Sequence, residues 1–173
     1  MSPVRRYFYL TSAVLSGSCL VIMTLLILAQ IAARFFGAVI PSSEDFAGWL
    51  LSATIFFGLA YTFQEGGHIR VTMLLTRLAE TKRRYLEYFN LLCGIAISGY
   101  LAFYTIFTVH ESYDFGDVTD TYLVVPLWMV QMPMALGSLF LFVAMLDSLR
   151  VMLTGKTPQY VLNEDELSAS GVE

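Results

Sequence analysis

The length and composition of the chain place it in a lipid bilayer. Its 173 residues are 57% hydrophobic and 14% charged, with a mean hydropathy of +0.65, which is too apolar for a water-soluble domain of this size. The net charge of −4 offers no basic surface for nucleic acid, which we exclude as a partner. Cys19 and Cys93 lie inside apolar runs, so neither a disulfide framework nor a zinc site is indicated.

Four nearly uncharged stretches are long enough to cross the ~30 Å hydrocarbon core as helices. They run over residues 10–33, 46–63, 88–109 and 122–146. The first follows Arg5 and Arg6 as a signal peptide would, but its apolar core is too long, so we interpret it as an uncleaved anchor. The sequence therefore predicts an all-α integral membrane protein. We expect a four-helix membrane domain over residues 1–157 and an acidic, poorly ordered tail over 158–173.

The distribution of basic residues predicts the orientation of the spans. With both termini in the cytoplasm, nine of the ten Lys and Arg residues lie on the cytoplasmic side and only Arg34 lies outside. The opposite orientation reverses that ratio. Because positive residues of short loops are retained in the cytoplasm, we expect a multi-pass protein with cytoplasmic termini.

Charged residues flank the hairpin between the first two spans. Arg34 ends the first span, while Ser42 and Ser43 precede Glu44 and Asp45 at the start of the second. Either serine can cap the second helix, whose dipole favours the acidic pair in its first turn. Two interpretations stay open. The hairpin holds either a snorkelling arginine beside a capped helix, or an ion-pair clamp that sets the helix angle or faces a partner subunit.

A turn follows the second span, and an amphipathic segment follows the turn. Gly67 permits a sharp change of direction. From residue 69 to 80, apolar residues and charged residues such as Arg70 separate onto two sides at helical spacing, which predicts a short helix lying in the interface. We interpret His68, a lone histidine beside glycines, as a structural residue rather than a haem or metal ligand.

An acidic segment over residues 110–120 connects the last two spans on the outer side. Its carboxylates recur every three residues, without the ligand order of an EF-hand calcium loop. We interpret it as a solvated acidic loop, with a docking surface for an outside protein as the alternative.

The centres of the spans carry almost no reactive groups. No Asp, Glu, Lys, Arg or His lies near the middle of any span, although proton relays, ion pathways and cofactor sites in membranes are normally built on such residues. We therefore predict no catalytic, cofactor-binding or metal-ligating residue and no enzyme activity. Pro133 is expected to kink the fourth helix.

The segment over residues 34–71 resembles the small membrane subunit of tripartite ATP-independent periplasmic (TRAP) transporters, the DctQ-like proteins. The shared features are the arginine that ends the first helix, the proline-containing hairpin, the acidic pair, and Gly-His-Ile at residues 67–69 with Val71 two residues on. The four-helix plan matches as well. Two positions depart from the family pattern: Ser43 stands where a tryptophan often precedes a Glu-Glu pair, and Gln64 replaces a basic residue.

The resemblance implies a scaffold subunit of a sodium-driven secondary transporter for a small organic acid or similar solute. The implied partners are a large multi-span membrane subunit, which carries the substrate and sodium sites, and a periplasmic solute-binding protein. The implied location is the bacterial inner membrane. The candidate interface residues then form an outer corner and an inner turn: Arg34, Glu44 and Asp45, and Gly67, His68 and Arg70.

Three alternative classes were weighed against this one. A haem-b anchor subunit of a respiratory or redox complex would use His68 and His110, but these lie at opposite membrane faces and cannot ligate one haem together. A thiol-oxidising enzyme needs cysteine pairs in outer loops, which this sequence lacks. A stand-alone four-helix exporter stays open, although it would usually place a charged residue within a span.

Overall fold

Four long helices make up the part of the protein that the computed structural model describes, residues 3–65 and 80–154, with side chains described in 5–65 and 85–154. The helices are α1 (Pro3–Phe35), α2 (Ser43–Gln64), α3 (Glu80–Phe115) and α4 (Leu127–Leu153). Each is long and apolar enough to cross a membrane. The prediction of an all-α membrane protein is confirmed.

Several predicted features fall on residues 66–79 and 155–173, outside the described part of the chain. These are the interfacial amphipathic helix, the acidic tail, and three of the candidate interface residues: Gly67, His68 and Arg70. For the tail and for the domain division at residue 157, the sequence-based expectation stays a prediction.

The helices differ from the predicted spans mainly between the last two. α3 continues to Phe115, so residues 110–115 of the predicted acidic loop are helical. α4 begins at Leu127 instead of residue 122. The reason is local: the residue before a proline is biased away from helical dihedrals, and Pro126 pairs with Val118 in an isolated antiparallel bridge that closes the loop. The α4 helix runs through Pro133 without interruption.

The four helices lie side by side in the order α1–α2–α4–α3. Extended contacts join α1 to α2, α2 to α4, and α4 to α3, whereas the remaining pairs of these helices meet only at isolated points. The two central helices are therefore α2 and α4, and the two edge helices are α1 and α3. The apolar span of α4 is 33% buried and that of α1 only 6%, so much of each edge helix lacks a covering neighbour within the described chain.

Small and hydroxyl side chains hold neighbouring helices together. A Cβ added at Gly137 of α4 would lie 2.4 Å from the backbone carbon and oxygen of Phe56 in α2, so the two backbones touch there. Ser16 of α1 donates to the carbonyl of Thr54 at 2.8 Å, and one turn away Ser12 donates to the carbonyl of Phe57. These two serines therefore link α1 to α2.

The contact between α3 and α4 is built in the same way. The hydroxyls of Thr105 and Ser138 share a buried hydrogen bond of 2.8 Å. At the C-terminal end of α4, Tyr88 of α3 donates to the carbonyl of Met152 at 3.1 Å. These hydroxyl groups thus find hydrogen-bond partners on the facing helix, which avoids leaving them unpaired in hydrocarbon.

Candidate functional site

The outer corner begins at the end of α1, where the chain reverses in a glycine turn. Gly37 has φ +73°, a conformation that favours glycine. The amide of Ala38 donates to the carbonyl of Ala33 at 3.0 Å, and the amide of Gly37 donates to the carbonyl of Arg34 at 3.1 Å. This pair of bonds is a Schellman motif. It ends the helix at Phe35, one residue after Arg34, and leaves the arginine at the mouth of the hairpin.

Buried polar groups hold the rest of the hairpin. Gln30, only 8% exposed, accepts a hydrogen bond from the amide of Ile40 at 2.9 Å. Ser42 takes the N-cap position of α2, but the predicted side-chain cap is wrong, since the residue is left-handed with φ 56° and makes no capping bond. Its Oγ instead accepts the amide of Leu123 at 3.2 Å. Ser42 thereby joins the hairpin to the loop before α4.

The predicted ion pair forms across the hairpin. Arg34 Nη2 lies 3.4 Å from Glu44 Oε1, and the side chains are 61% and 87% exposed. The first turn of α2 holds both Glu44 and Asp45, as predicted. Asp45 makes no ion pair with any described residue. Such an exposed pair contributes little to stability, whereas Gln30 and the backbone turn hold the hairpin through hydrogen bonds of their own.

The loop over residues 116–126 forms the second half of this end of the molecule. α3 ends in another Schellman motif, with Gly116 at φ +67° and the amide of Asp117 donating to the carbonyl of Ser112 at 3.1 Å. Thr119 and Val125 then exchange two hydrogen bonds, of 2.9 Å and 3.0 Å. The loop is compact. Its neighbouring carboxylates point to solvent: Glu111, Asp114, Asp117 and Asp120 are exposed.

The exposed carboxylates do not assemble a metal site in the described residues, where no group of three or more possible ligands converges. Asp114 instead contacts His110, one turn before it on α3, at 3.0 Å. The hairpin and the loop together therefore present a mainly acidic rim. We name this surface the acidic rim: Arg34, Glu44, Asp45, Glu111, Asp114, Asp117 and Asp120.

Sequence reasoning missed a charged pair at the opposite end of the helix row. Arg5 Nη2 of α1 lies 2.6 Å from Asp147 Oδ2 of α4, and the two side chains are 28% and 30% exposed. A signal for it exists in the sequence. Asp147 is the one acidic residue of α4, and it directly follows the predicted span 122–146, where an unpaired carboxylate is unfavourable and a cation nearby is expected.

A second feature that sequence reasoning missed is a polar stripe on the outward face of α3. We name it the outer stripe: Asn90, Cys93, Ile97, Tyr100 and Tyr104. All five residues are exposed, with Tyr100 at 66% and Tyr104 at 49%. Their spacing of three and four residues puts them on one side of the helix, away from the side that packs on α4. Neither tyrosine hydroxyl has a hydrogen-bond partner among the described residues.

Four apolar helices with polar ends define a multi-pass membrane protein. The family model of tripartite ATP-independent periplasmic transporters, DctQ component, matches residues 23–155, from the middle of α1 to the end of α4. The chain therefore belongs to the DctQ family, which supplies a membrane component of these transporters, and the resemblance that the sequence motifs indicate is confirmed. No curated protein sequence matches the chain significantly.

Proposed function

We propose that the protein is the small scaffold subunit of a sodium-driven TRAP-type transporter in the bacterial inner membrane and has no enzyme activity of its own. In this proposal the large membrane subunit carries the solute, a small organic acid or similar compound, and a periplasmic protein delivers it. Both termini lie in the cytoplasm, since nine of the ten basic residues then lie on that side. Membership of the DctQ family supports this assignment of different roles to the three proteins.

The observation that carries the scaffold role is the outer stripe. If the predicted span 88–109 is centred in the bilayer, Tyr100 lies about 2 Å and Tyr104 about 8 Å from the midplane. The hydrocarbon extends about 15 Å to each side. Both hydroxyls thus stand in a region where lipid tails offer no hydrogen-bond acceptor, and an unpaired hydroxyl there is unfavourable. A helix of another subunit supplies acceptors.

The rest of the exposed surface of α3 has a different composition. Within the predicted span 88–109, the exposed residues outside the outer stripe are apolar, among them Phe89, Leu92, Phe103 and Phe107, each more than half exposed. These side chains suit lipid tails without further partners. In membranes, interhelical hydrogen bonds and close packing drive the association of helices, whereas apolar surface alone does not. The contrast therefore gives α3 one side that suits lipid and another that suits a protein.

Cys93 gives a native probe for this contact, since it is exposed within the outer stripe. In a Cys19→Ser background, a photoactivated crosslinker attached to Cys93 is expected to capture the large membrane subunit in native membranes. The matched control moves the cysteine to the apolar side, as Cys93→Ser with Phe103→Cys, and is expected to yield lipid adducts. Capture from residue 103 in preference to residue 93 would contradict the assigned face. If the subunit purifies from native membranes without any large membrane protein, that result would contradict the scaffold role itself.

The acidic rim is the second surface that the proposal uses. With the termini in the cytoplasm it faces the periplasm, where a solute-binding protein docks. Its carboxylates outnumber its single arginine, and all but the half-buried Asp45 are exposed, on a hairpin and a loop that hydrogen bonds hold in fixed positions. Such a surface suits a partner that presents basic residues, because complementary charge raises the rate and specificity of encounter.

A further inference from the structure

A groove of about 320 Å³ opens at the end of the helix row that carries Arg5. It lies between the first turns of α1 and the last turns of α4. Because α2 stands between those two helices in the row, they meet only at isolated points, one of them the edge-to-face contact of Phe8 with Phe140 at 5.3 Å. The side chains that matter for its chemistry include three charged and three apolar residues: Arg5, Asp147 and Arg150, and Phe8, Val143 and Leu146.

The charged residues of the groove leave a cation without a partner. Asp147 accepts the bond from Arg5 at 2.6 Å, which offsets one arginine. The Nε–H of Arg5 is buried and has no acceptor among the described residues, so Asp147 uses only part of the donor capacity of that guanidinium. Arg150 makes no ion pair with a described residue. Two arginines against one aspartate give the described lining of the groove one net positive charge.

The charges and the apolar walls lie at different depths. Arg5 begins the apolar span of α1, and Arg150 lies in the last turn of α4, so both stand at the level of the lipid headgroups. Val143 is seven residues earlier on α4, about 10 Å deeper along the helix axis. The groove therefore has a cationic mouth and an apolar floor. This polarity matches an amphipathic anion whose charge stays at the interface while its hydrocarbon reaches inward.

We propose that this groove binds one anionic phospholipid, with its phosphate at Arg5 and Arg150 and the start of one acyl chain along Val143 and Leu146. Arginine donors form charge-assisted hydrogen bonds to phosphate, and basic pockets between transmembrane helices suit such headgroups. The bound lipid fills the wedge between α1 and α4, which lack an extended contact of their own. The site belongs to this chain alone, so its test does not depend on the scaffold role.

Native mass spectrometry of the purified full chain in detergent, with phosphatidylglycerol or phosphatidylcholine added, tests the site. We expect one phosphatidylglycerol to bind, about tenfold more tightly than phosphatidylcholine, and Arg150→Gln to weaken it on the order of tenfold, as the loss of a charge-assisted bond predicts. The matched control is Arg6→Gln, which removes the same charge from the same end. Arg6 is exposed and does not line the groove, so this variant is expected to bind normally.

A second variant tests the apolar floor without changing the charge. Val143→Trp fills the groove, and we expect it to weaken phosphatidylglycerol binding about as much as Arg150→Gln does. If Arg6→Gln and Arg150→Gln weaken phosphatidylglycerol binding equally, the lipid is attracted by the total positive charge at this end of the helix row. That result would overturn the specific site. Equal binding of the two lipids would overturn the anionic preference. If inorganic phosphate alone displaces the lipid, and if Val143→Trp binds phosphatidylglycerol as wild type does, the mouth of the groove is a site for free phosphate. That result would overturn the proposal of a lipid site.

Discussion

Two regions of this membrane subunit use side chains in opposite ways. The first is the contact between α2 and α4, and the second is the outer stripe of α3. At the first, glycine brings two backbones together, and nothing larger fits. At the second, asparagine and tyrosine side chains are exposed, and the two tyrosine hydroxyls have no hydrogen-bond partner among the described residues. The first contact is complete within the chain. In the proposed function another protein completes the second, so stability and assembly are expected to depend on different residues and to be separable by mutation.

The largest effect on the subunit itself is expected at Gly137. A methyl group there would overlap the backbone of Phe56 at 2.4 Å, and backbone atoms cannot yield as a side chain does. Gly137→Ala should therefore lower the free energy of unfolding in detergent by about 3 kcal/mol. Gly48→Ala is the control, since its Cβ would meet nothing within 4 Å and a helical alanine is favoured over glycine by about 1 kcal/mol. Equal stability of the two variants would contradict the close approach.

An intermediate outcome is expected at the outer stripe. Tyr100→Phe with Tyr104→Phe removes two hydroxyls that bond to nothing in the described chain, so the stability of the isolated subunit should stay within about 0.5 kcal/mol of wild type. Retention of the large subunit during purification should fall severalfold, because interhelical hydrogen bonds contribute roughly 1 kcal/mol each. The control is Phe103→Leu with Phe107→Leu on the apolar side. If both pairs retain the partner equally, the stripe is not the contact.

The smallest effect on the subunit is expected at the acidic rim. Glu44→Lys with Asp45→Lys should leave the fold intact, because the pair with Arg34 is exposed and contributes little. The helix dipole disfavours lysine there by some tenths of a kcal/mol per residue. Solute uptake or docking of the binding protein should weaken, most clearly at low salt, where charge steering is strongest. Glu65→Lys, at the other end of α2, is the control. Unchanged assembly and uptake would rule out a role for these carboxylates.

The parts of the fold that the sequence predicts well are those decided by local chemistry. Hydropathy alone located four spans, and a helix dipole argument located Glu44 and Asp45 in the first turn of α2. The meeting of Arg34 with Glu44 followed because a hairpin brings its own two ends together. These residues are close in the chain, so their geometry depends on few degrees of freedom.

Features set by distant parts of the chain were not predictable in the same way. Ser42 or Ser43 was expected to cap α2, but the hydroxyl of Ser42, the N-cap residue, accepts a bond from the amide of Leu123, 81 residues away. The order of the helices in the row and the pairing of Arg5 with Asp147 likewise depend on which helix faces match. The apolar pattern is nearly continuous around each span, so it contains little information about those faces.

The order of the helices also bears on how the chain is made. The extended contacts pair α1 with α2 and α3 with α4, neighbours in sequence, and among the described helices α2–α4 is the one extended contact between the two pairs. Each pair can therefore close as a helical hairpin soon after it enters the membrane, before the rest of the chain is synthesised. Biogenesis then reduces to the docking of two preformed halves at Gly137.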